Sequence, residues 1–336
     1  MVIQRIGGET VVLYADLRER LEVFEAIRSI ATLPGEFTTK TVKGSLYHYY
    51  QAALPGGRVQ FYIGSDSNDI RRLIAERIEG KEPAYADQRL FQQLASQIIA
   101  GGVVAVPTEI ARILNCMANS AVFRAGGVLV GSVALHVMAT HLGVHLQDSI
   151  RTTQDIDIAG ESRVKVAVPN LRADVPAAIE SLRMGFFPVP RLSNKEPSTS
   201  YAIRGKTLRI DLVTPMKGNH NTPVHIHRFN AAAQPLKYLE YLIEDPINAV
   251  MISGTPCLVK IPQPARFALH KLIISQERDI SSTDKKNKDI QQAKALLEIL
   301  REDMPTEIEK ALTSLTNYAG SWTKNLKKTC KEYNVL

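Results

Sequence analysis

The chain has 336 residues, 45% of them apolar and 22% charged, and its 41 Lys+Arg against 34 Asp+Glu leave a formal net charge of +7. That composition belongs to a globular protein and excludes global disorder, and the length suits about two domains, each able to bury its own core. No apolar run reaches the ~18 residues of a membrane span; the best candidate, Ala121 to Ala139, is interrupted by Arg124 and His136. The N-terminus lacks the basic start, apolar stretch and small-residue cleavage site of a secretory signal, so the expectation is a cytoplasmic protein with no membrane partner. Cys116, Cys257 and Cys330 are odd in number and far apart, which argues against a disulfide framework or a Cys-based zinc site.

In chain order, Ala15 to Ile30 has apolar residues at helical spacing (Leu17, Leu21, Phe24, Ile27) and predicts a helix. Residues 41–64 contain two β-branched and aromatic runs separated by Leu-Pro-Gly-Gly, which predicts a β-hairpin turning near Pro55–Gly57. Helices follow at 67–79, 85–100 and 107–119. A strand from Phe123 runs into Gly131-Ser132, a helix continues to about Leu142, and DIDIA (Asp155 to Ala159) predicts a new strand. Ala173 to Met184 predicts a helix, and Thr199–Arg204 with Thr207–Thr214 a strand pair joined at Gly205. Val224–His227, Ile247–Ile252 and Leu258–Ile261 predict further strands, and Ala265–Arg278, Lys288–Arg301 and Thr306–Lys328 predict a closing helical layer. The expected fold class is therefore α+β, divided into an N-terminal mixed α/β module (1–120), a mixed-sheet core (121–262) and a C-terminal helical region (263–336).

Charge is unevenly placed. Residues 1–120 hold 13 basic and 13 acidic side chains, so the whole surplus belongs to residues 121–336. Within 191–237, Arg191, Lys195, Arg204, Lys206, Arg209, Lys217, Arg228 and Lys237 face only Glu196 and Asp211, a local +6 that would attract phosphates or form an ordinary solvated face.

The chemistry concentrates in three carboxylates on predicted strands: Asp155 and Asp157 in TTQDIDIA, and Asp211 in LRIDLV. Residues i and i+2 of a strand share a face, so Asp155 and Asp157 project together while Ile156 and Ile158 face the other way. Two carboxylates side by side on an apolar strand need a cation to remain ionised, and a divalent ion such as Mg²⁺ is the simplest. Upstream, AGGVLVGSVAL (125–135) places Gly131-Ser132 where a strand opens into a helix, with free backbone N–H groups, a small hydroxyl and a positive helix end suited to a phosphate.

Gly131-Ser132, a helix, RTTQDIDIA and a later strand-borne Asp211 together resemble the nucleotidyltransferases of the DNA polymerase β superfamily. GGVLVGSVALHVMATHLGV followed by Arg-Thr-x-x-Asp-x-Asp is similar to a bacterial group of predicted nucleotidyltransferases, and more distantly to abortive-infection nucleotidyltransferase toxins. The resemblance covers about residues 120–290. It implies a polymerase-β-like core that transfers a nucleoside monophosphate from an NTP such as ATP to an acceptor hydroxyl. By the same resemblance Asp155, Asp157 and Asp211 would be catalytic and hold Mg²⁺ or Mn²⁺, and Gly131 and Ser132 would hold the β- and γ-phosphates. Arg151, Arg209 and Lys271 could neutralise the pyrophosphate, although Arg209 shares a strand face with Asp211 and could simply pair with it. The stretch between Ser132 and Asp155 is long for the family and fits the toxin-like groups best.

Other features carry less. His136, His141 and His145 do not share one helical face, so structural roles are expected for them; His225 and His227 do share a strand face and could line the cleft, but a pair without a third ligand is a weak metal signal. No G-x-x-x-x-G-K-[ST] or G-x-G-x-x-G run is present. The aromatics Tyr47, Tyr49, Tyr50, Phe61 and Tyr62, with Lys43 and Arg58, could stack single-stranded nucleic acid, but in a net-neutral module packing against neighbouring helices is the simpler expectation. A metal-dependent glycosyltransferase also uses D-x-D, yet Asp211 and the Gly-Ser turn speak against it. Three intact carboxylates speak against a non-catalytic nucleotide-binding regulator. RNA, such as tRNA, is the leading acceptor because of the basic stretch.

Overall fold

The computed structural model describes residues 2–30, 35–54, 57–78, 85–146, 155–160, 171–191, 196–278, 283–318 and 320–335. The fold is α+β. It begins with β1 (Ile3–Arg5) and α1 (Gly8–Ile30), the latter starting a full two turns before the apolar periodicity becomes regular. Strands β2 (Gly35–Val42), β3 (Ser45–Leu54) and β4 (Gly57–Ser65) make a three-stranded antiparallel sheet where a two-stranded hairpin was expected. The missed turn is Lys43-Gly44, in which both residues have positive φ and only one is glycine. The predicted turn residues Pro55 and Gly56 lie outside the described residues. Helices α2 (Asn68–Ile78), α3 (Tyr85–Ala100) and α4 (Thr108–Asn119) follow as the periodicity predicts.

Next come β5 (Val128–Val130), α5 (Gly131–His141), β6 (Val144–Leu146), β7 (Asp155–Ala159), α6 (Val175–Ser181), β8 (Phe186–Pro188), β9 (Ser200–Ile203) and β10 (Arg209–Pro215). They are followed by β11 (Val224–Ile226), β12 (Ala231–Leu236), α7 (Leu239–Ile243), β13 (Ile247–Met251) and β14 (Cys257–Ile261). The strand expected from Phe123 shrinks to three residues, because residues 121–126 coil into hydrogen-bonded turns that place Ala121 at positive φ. The central sheet runs β11-β12-β10-β7-β5, with β9 on the free edge of the first half of β10 and β8 beyond it. β7, β10 and β12 are mutually parallel, whereas β5 is antiparallel to β7. Ile156, Ile158, Ile210 and Leu212 are fully buried on the sheet, as the alternation of β7 and β10 requires.

The chain closes with α8 (Pro264–Ser275), α9 (Thr283–Asp303), α10 (Pro305–Leu315) and α11 (Gly320–Tyr333). The last two replace the single helix expected over Thr306–Lys328. The main apolar core runs from Val106 to Val335 and joins the central sheet, α5, α8 and α9. Two smaller clusters pack α1 against α3 and β13, and the three-stranded sheet against α1 and α2. Among the described residues no helix is long and apolar enough to cross a membrane.

Candidate active site

Register brings the carboxylates together. β7 and β10 are parallel neighbours with Arg209 opposite Asp155 and Asp211 opposite Asp157, so the three acids and Arg209 occupy adjoining positions on one face. β5 lies on the other side of β7, pairing Val130 with Asp157, and the next residue, Gly131, opens α5. Gly131 has φ +75°, and a Cβ there would overlap the Oδ2 of Asp157. Glycine is thus required twice, by backbone conformation and by close approach. The N-terminus of α5 has no side-chain cap, which leaves its first N–H groups free to meet an anion.

Asp155 is exposed and Asp157 half-buried. The carboxyl of Asp157 is pushed up to about 7, first by burial and then by the negative charges of Asp211 and Asp155, with Lys271 and Arg209 opposing. A carboxylate so placed is short of positive charge. Asp211 is differently engaged: its Oδ1 accepts from Ser200 Oγ and from Arg209 Nε at 2.8 Å, while Arg209 also donates to Ser200 at 2.9 Å. Arg209 therefore does pair with the carboxylate on its own strand face.

Two clefts meet at Asp157 and Val213. The first, of about 410 Å³, is lined by Gly131, Ser132, Asp155 and Asp157 at one side and by Lys271, Arg278, Lys285 and Lys288 at the other, with apolar walls from Leu239, Leu242 and Phe267. Lys271 Nζ donates to Asp289 Oδ1 at 2.6 Å, and Arg278 donates to Asp289 Oδ2 at 3.0 and 3.1 Å. Asp289 is only 4% exposed, so this one carboxylate of α9 holds two cations of the cleft wall. The second cleft, of about 630 Å³, is lined by Asp157, Asp211, Arg209, Ser200, Arg191 and Gln234. Arg191 donates to Glu196 and to Gln234, both at 2.7 Å, and the amide of Gln234 is tied in turn to Asn221.

The sequence-derived set is thus largely gathered: Gly131, Ser132, Asp155, Asp157 and Lys271 in one cleft, Arg209 and Asp211 in the other. Arg151 lies outside the described residues. Sequence reasoning passed over Arg278, just after α8, and Lys285, Lys288 and Asp289 of α9, all more than a hundred residues from the Asp155–Asp157 motif, and Ser200, an ordinary strand serine until it is paired with Asp211. Two of the histidines take structural positions: His136 bonds the Val104 carbonyl at 2.8 Å, and His141 meets the Tyr14 hydroxyl at 3.3 Å, whereas His225 and His227 are exposed and line neither cleft.

Among the described residues, no group of three or more His, Cys, Asp or Glu side chains is already disposed around a common metal position. The donor set nonetheless fits a hard divalent ion: Asp155 and Asp157 offer oxygen ligands from one strand face, and the positive charges of Lys271 and Arg209 do not offset burial and the neighbouring carboxylates at Asp157. Asp211 can join them by giving up Arg209 or by sharing its second oxygen.

A family model described as nucleotidyltransferase matches residues 108–317, well over half of the chain. The chain belongs to this nucleotidyltransferase family. It is a transferase, and nucleotide transfer in general is its chemistry. Comparison with curated proteins and with solved structures found no match. The matched segment takes in both clefts, all three carboxylates and the cationic wall of α8 and α9.

Proposed function

We propose that this nucleotidyltransferase moves a nucleoside monophosphate from an NTP to an acceptor hydroxyl, with a polymerase-β-like arrangement of Asp155, Asp157 and Asp211 as its catalytic and metal-holding centre. The observation that carries the reading is the meeting of two clefts at Asp157, each with its own carboxylate partner and its own cations. In-line displacement at a phosphorus needs donor and acceptor on opposite sides of the reacting atom, and two clefts that share Asp157 and Val213 give the two substrates separate approaches to one carboxylate.

In this reading the NTP occupies the first cleft. The uncapped start of α5 and Ser132 hold the β- and γ-phosphates, and Lys271 and Arg278, fixed by Asp289, neutralise the pyrophosphate as it leaves. Leu239, Leu242 and Phe267 give the base an apolar wall. The acceptor enters the second cleft, where Asp211 accepts the proton of its hydroxyl once Arg209 and Ser200 release the oxygen they hold. Mg²⁺ or Mn²⁺, when held by Asp155, Asp157 and Asp211, would polarise the α-phosphate and lower the pKa of the attacking hydroxyl. RNA is the proposed acceptor, since Arg191 and Arg209 of the basic stretch line the second cleft.

The test is incubation with each α-labelled NTP, Mg²⁺ or Mn²⁺, and purified RNA, protein and metabolite fractions. Label should appear in RNA, with the parent and not with Asp157→Asn. With saturating nucleotide, acceptor affinity should fall log–log with salt, at roughly −0.7 per single-strand phosphate contact. Label in protein or in a small metabolite removes RNA as acceptor, and transfer at the parental rate by Asp157→Asn removes the carboxylate centre.

A further inference from the structure

The three-stranded sheet of β2, β3 and β4 has two unlike faces. One packs Phe37, Tyr50, Phe61 and Ile63 against Val23 and Ile27 of α1 and Ile70 and Ile74 of α2. The register places Thr38, Tyr49 and Tyr62 in one cross-strand row on the opposite face, with Lys40 beside Tyr47 in the next row and Glu36, Gln51 and Gln60 in the row on the other side. A bulge between His48 and Tyr49 brings Tyr49 directly opposite Tyr62. The aromatics of this module therefore divide, with Tyr50 and Phe61 turned inward as helix packing requires and Tyr47, Tyr49 and Tyr62 turned outward.

Tyr62 is 55% exposed, a large aromatic that the sheet does not bury. Its ring centroid lies 5.5 Å from that of Tyr49 and 6.2 Å from that of Tyr47, and Lys40 Nζ sits 5.1 Å from the centroid of Tyr49. Rings inclined at 64° and 48° are not stacked flat on each other. Among the described side chains of this face Val42, at the end of β2, is the one large aliphatic, and the rest are tyrosine, lysine, arginine, threonine, serine, glutamine and one glutamate, so it offers little of the aliphatic surface on which a second copy or a lipid would close.

Charge points the same way. Within 35–65 the sheet bears Lys40, Lys43 and Arg58 against Glu36 alone, although residues 1–120 as a whole are neutral. Glu19 of α1 is close enough to Tyr62 to act on it electrostatically. Aromatic planes interleaved with cations on an open antiparallel sheet suit unpaired bases and their phosphates, and such sheet-borne sets hold about two or three bases.

We infer that the outward face of β2–β4 is a binding platform for single-stranded nucleic acid, with Tyr47, Tyr49 and Tyr62 stacking bases and Lys40, Lys43 and Arg58 meeting the backbone. The inference deepens the transferase reading, on which it rests for its purpose: the N-terminal module would hold the strand whose hydroxyl the second cleft receives.

The experiment is fluorescence anisotropy of a labelled twelve-nucleotide single-stranded RNA titrated with the full chain at low salt. The parent should bind; Tyr49→Ala and Tyr62→Ala should each bind about tenfold more weakly. Tyr62→Phe, which keeps the ring, should stay within about twofold. The same oligonucleotide annealed to its complement should bind at least about tenfold more weakly than the single strand, because paired bases do not present their faces. Circular dichroism and melting should be unchanged in all variants, since these side chains lie outside the sheet's packed face. Absence of single-strand binding, equal binding of duplex, or unaltered binding by both alanine variants would each overturn the platform. So would a dimer, seen by sedimentation, that Tyr62→Ala dissociates while RNA binding persists. Titration with a fluorescent NTP separates the two readings, because platform variants should retain nucleotide binding, and failure of the platform leaves the NTP cleft untouched.

Discussion

Replacing Asp157 by Asn should make the metal-free protein more stable while destroying its activity. Burial, with Asp211 and Asp155 nearby, raises the Asp157 carboxyl from 3.8 to about 7 in the folded chain. A folded-state pKa above the unfolded one means that the native state prefers the protonated acid. The resulting penalty is absent below about pH 4, grows as pH rises between about 4 and about 7, and is constant above that. At about 1.36 kcal/mol per unit the full shift corresponds to at most about 4 kcal/mol. Asp157 keeps an open side on both clefts, so solvent screening reduces this to about 1–2 kcal/mol. Asn keeps the shape and cannot ionise, so with chelator present at pH 8 urea unfolding should show the variant more stable by that amount at an unchanged m-value, with the gap closing as pH approaches 4. Millimolar Mg²⁺ should stabilise the parent and not the variant, because only the parent retains the full ligand set. Turnover in the variant should fall by at least about 10²-fold. A variant no more stable than the parent at pH 8, or a difference that does not depend on pH, would refute the account of a carboxylate cluster short of positive charge.

Three further outcomes follow from the geometry. Gly131→Ala should cost about 1–3 kcal/mol from its positive φ and, through overlap with Asp157, raise the KM for NTP sharply; an unchanged nucleotide titration with the fold confirmed by circular dichroism would take the turn out of the site. Asp289→Asn should destabilise by about 3–5 kcal/mol, because Lys271 and Arg278 lose their buried partner, and should raise the KM for NTP more than it lowers kcat; steady-state kinetics with an intact KM would confine Asp289 to a structural role. Acidification should weaken the fold through buried histidines: burial holds His136 and His141 down to about 4 and His270 to about 3, below the 6.5 of the unfolded chain. Their stabilisation is complete above about pH 6.5 and is lost as pH falls towards 4, so His270→Leu should flatten the decline of the urea midpoint between pH 7 and 5.

Local pattern made the shared face of the three carboxylates legible. Alternation along DIDIA and LRIDLV sets which side chains share a strand face, and that depends on chain geometry alone, so Asp155, Asp157 and Asp211 could be named before any fold was known. Gly131 was readable for a similar reason, since a glycine between an apolar strand and a helix marks backbone that a side chain would obstruct. Helices α2 to α5 and α8 followed from periodicity, because each buries one continuous apolar stripe or is buried all round.

The pairing of parallel strands β7 and β10 was decided only in three dimensions, because their register joins residues more than fifty positions apart and no local signal encodes it. The same holds for Asp289, an ordinary helix carboxylate in sequence that becomes the shared anchor of Lys271 and Arg278 once α8 and α9 pack together. The outward tyrosines are the clearest case. A strand pattern shows that Tyr49 and Tyr50 face opposite ways, but which way is inward depends on where α1 and α2 lie, and the packing of those helices chose Tyr50 for the core and left Tyr49 and Tyr62 to the surface. Sequence determined which side chains travel together; the tertiary structure determined what they meet, since burial and cross-strand pairing are properties of segments brought together by the fold.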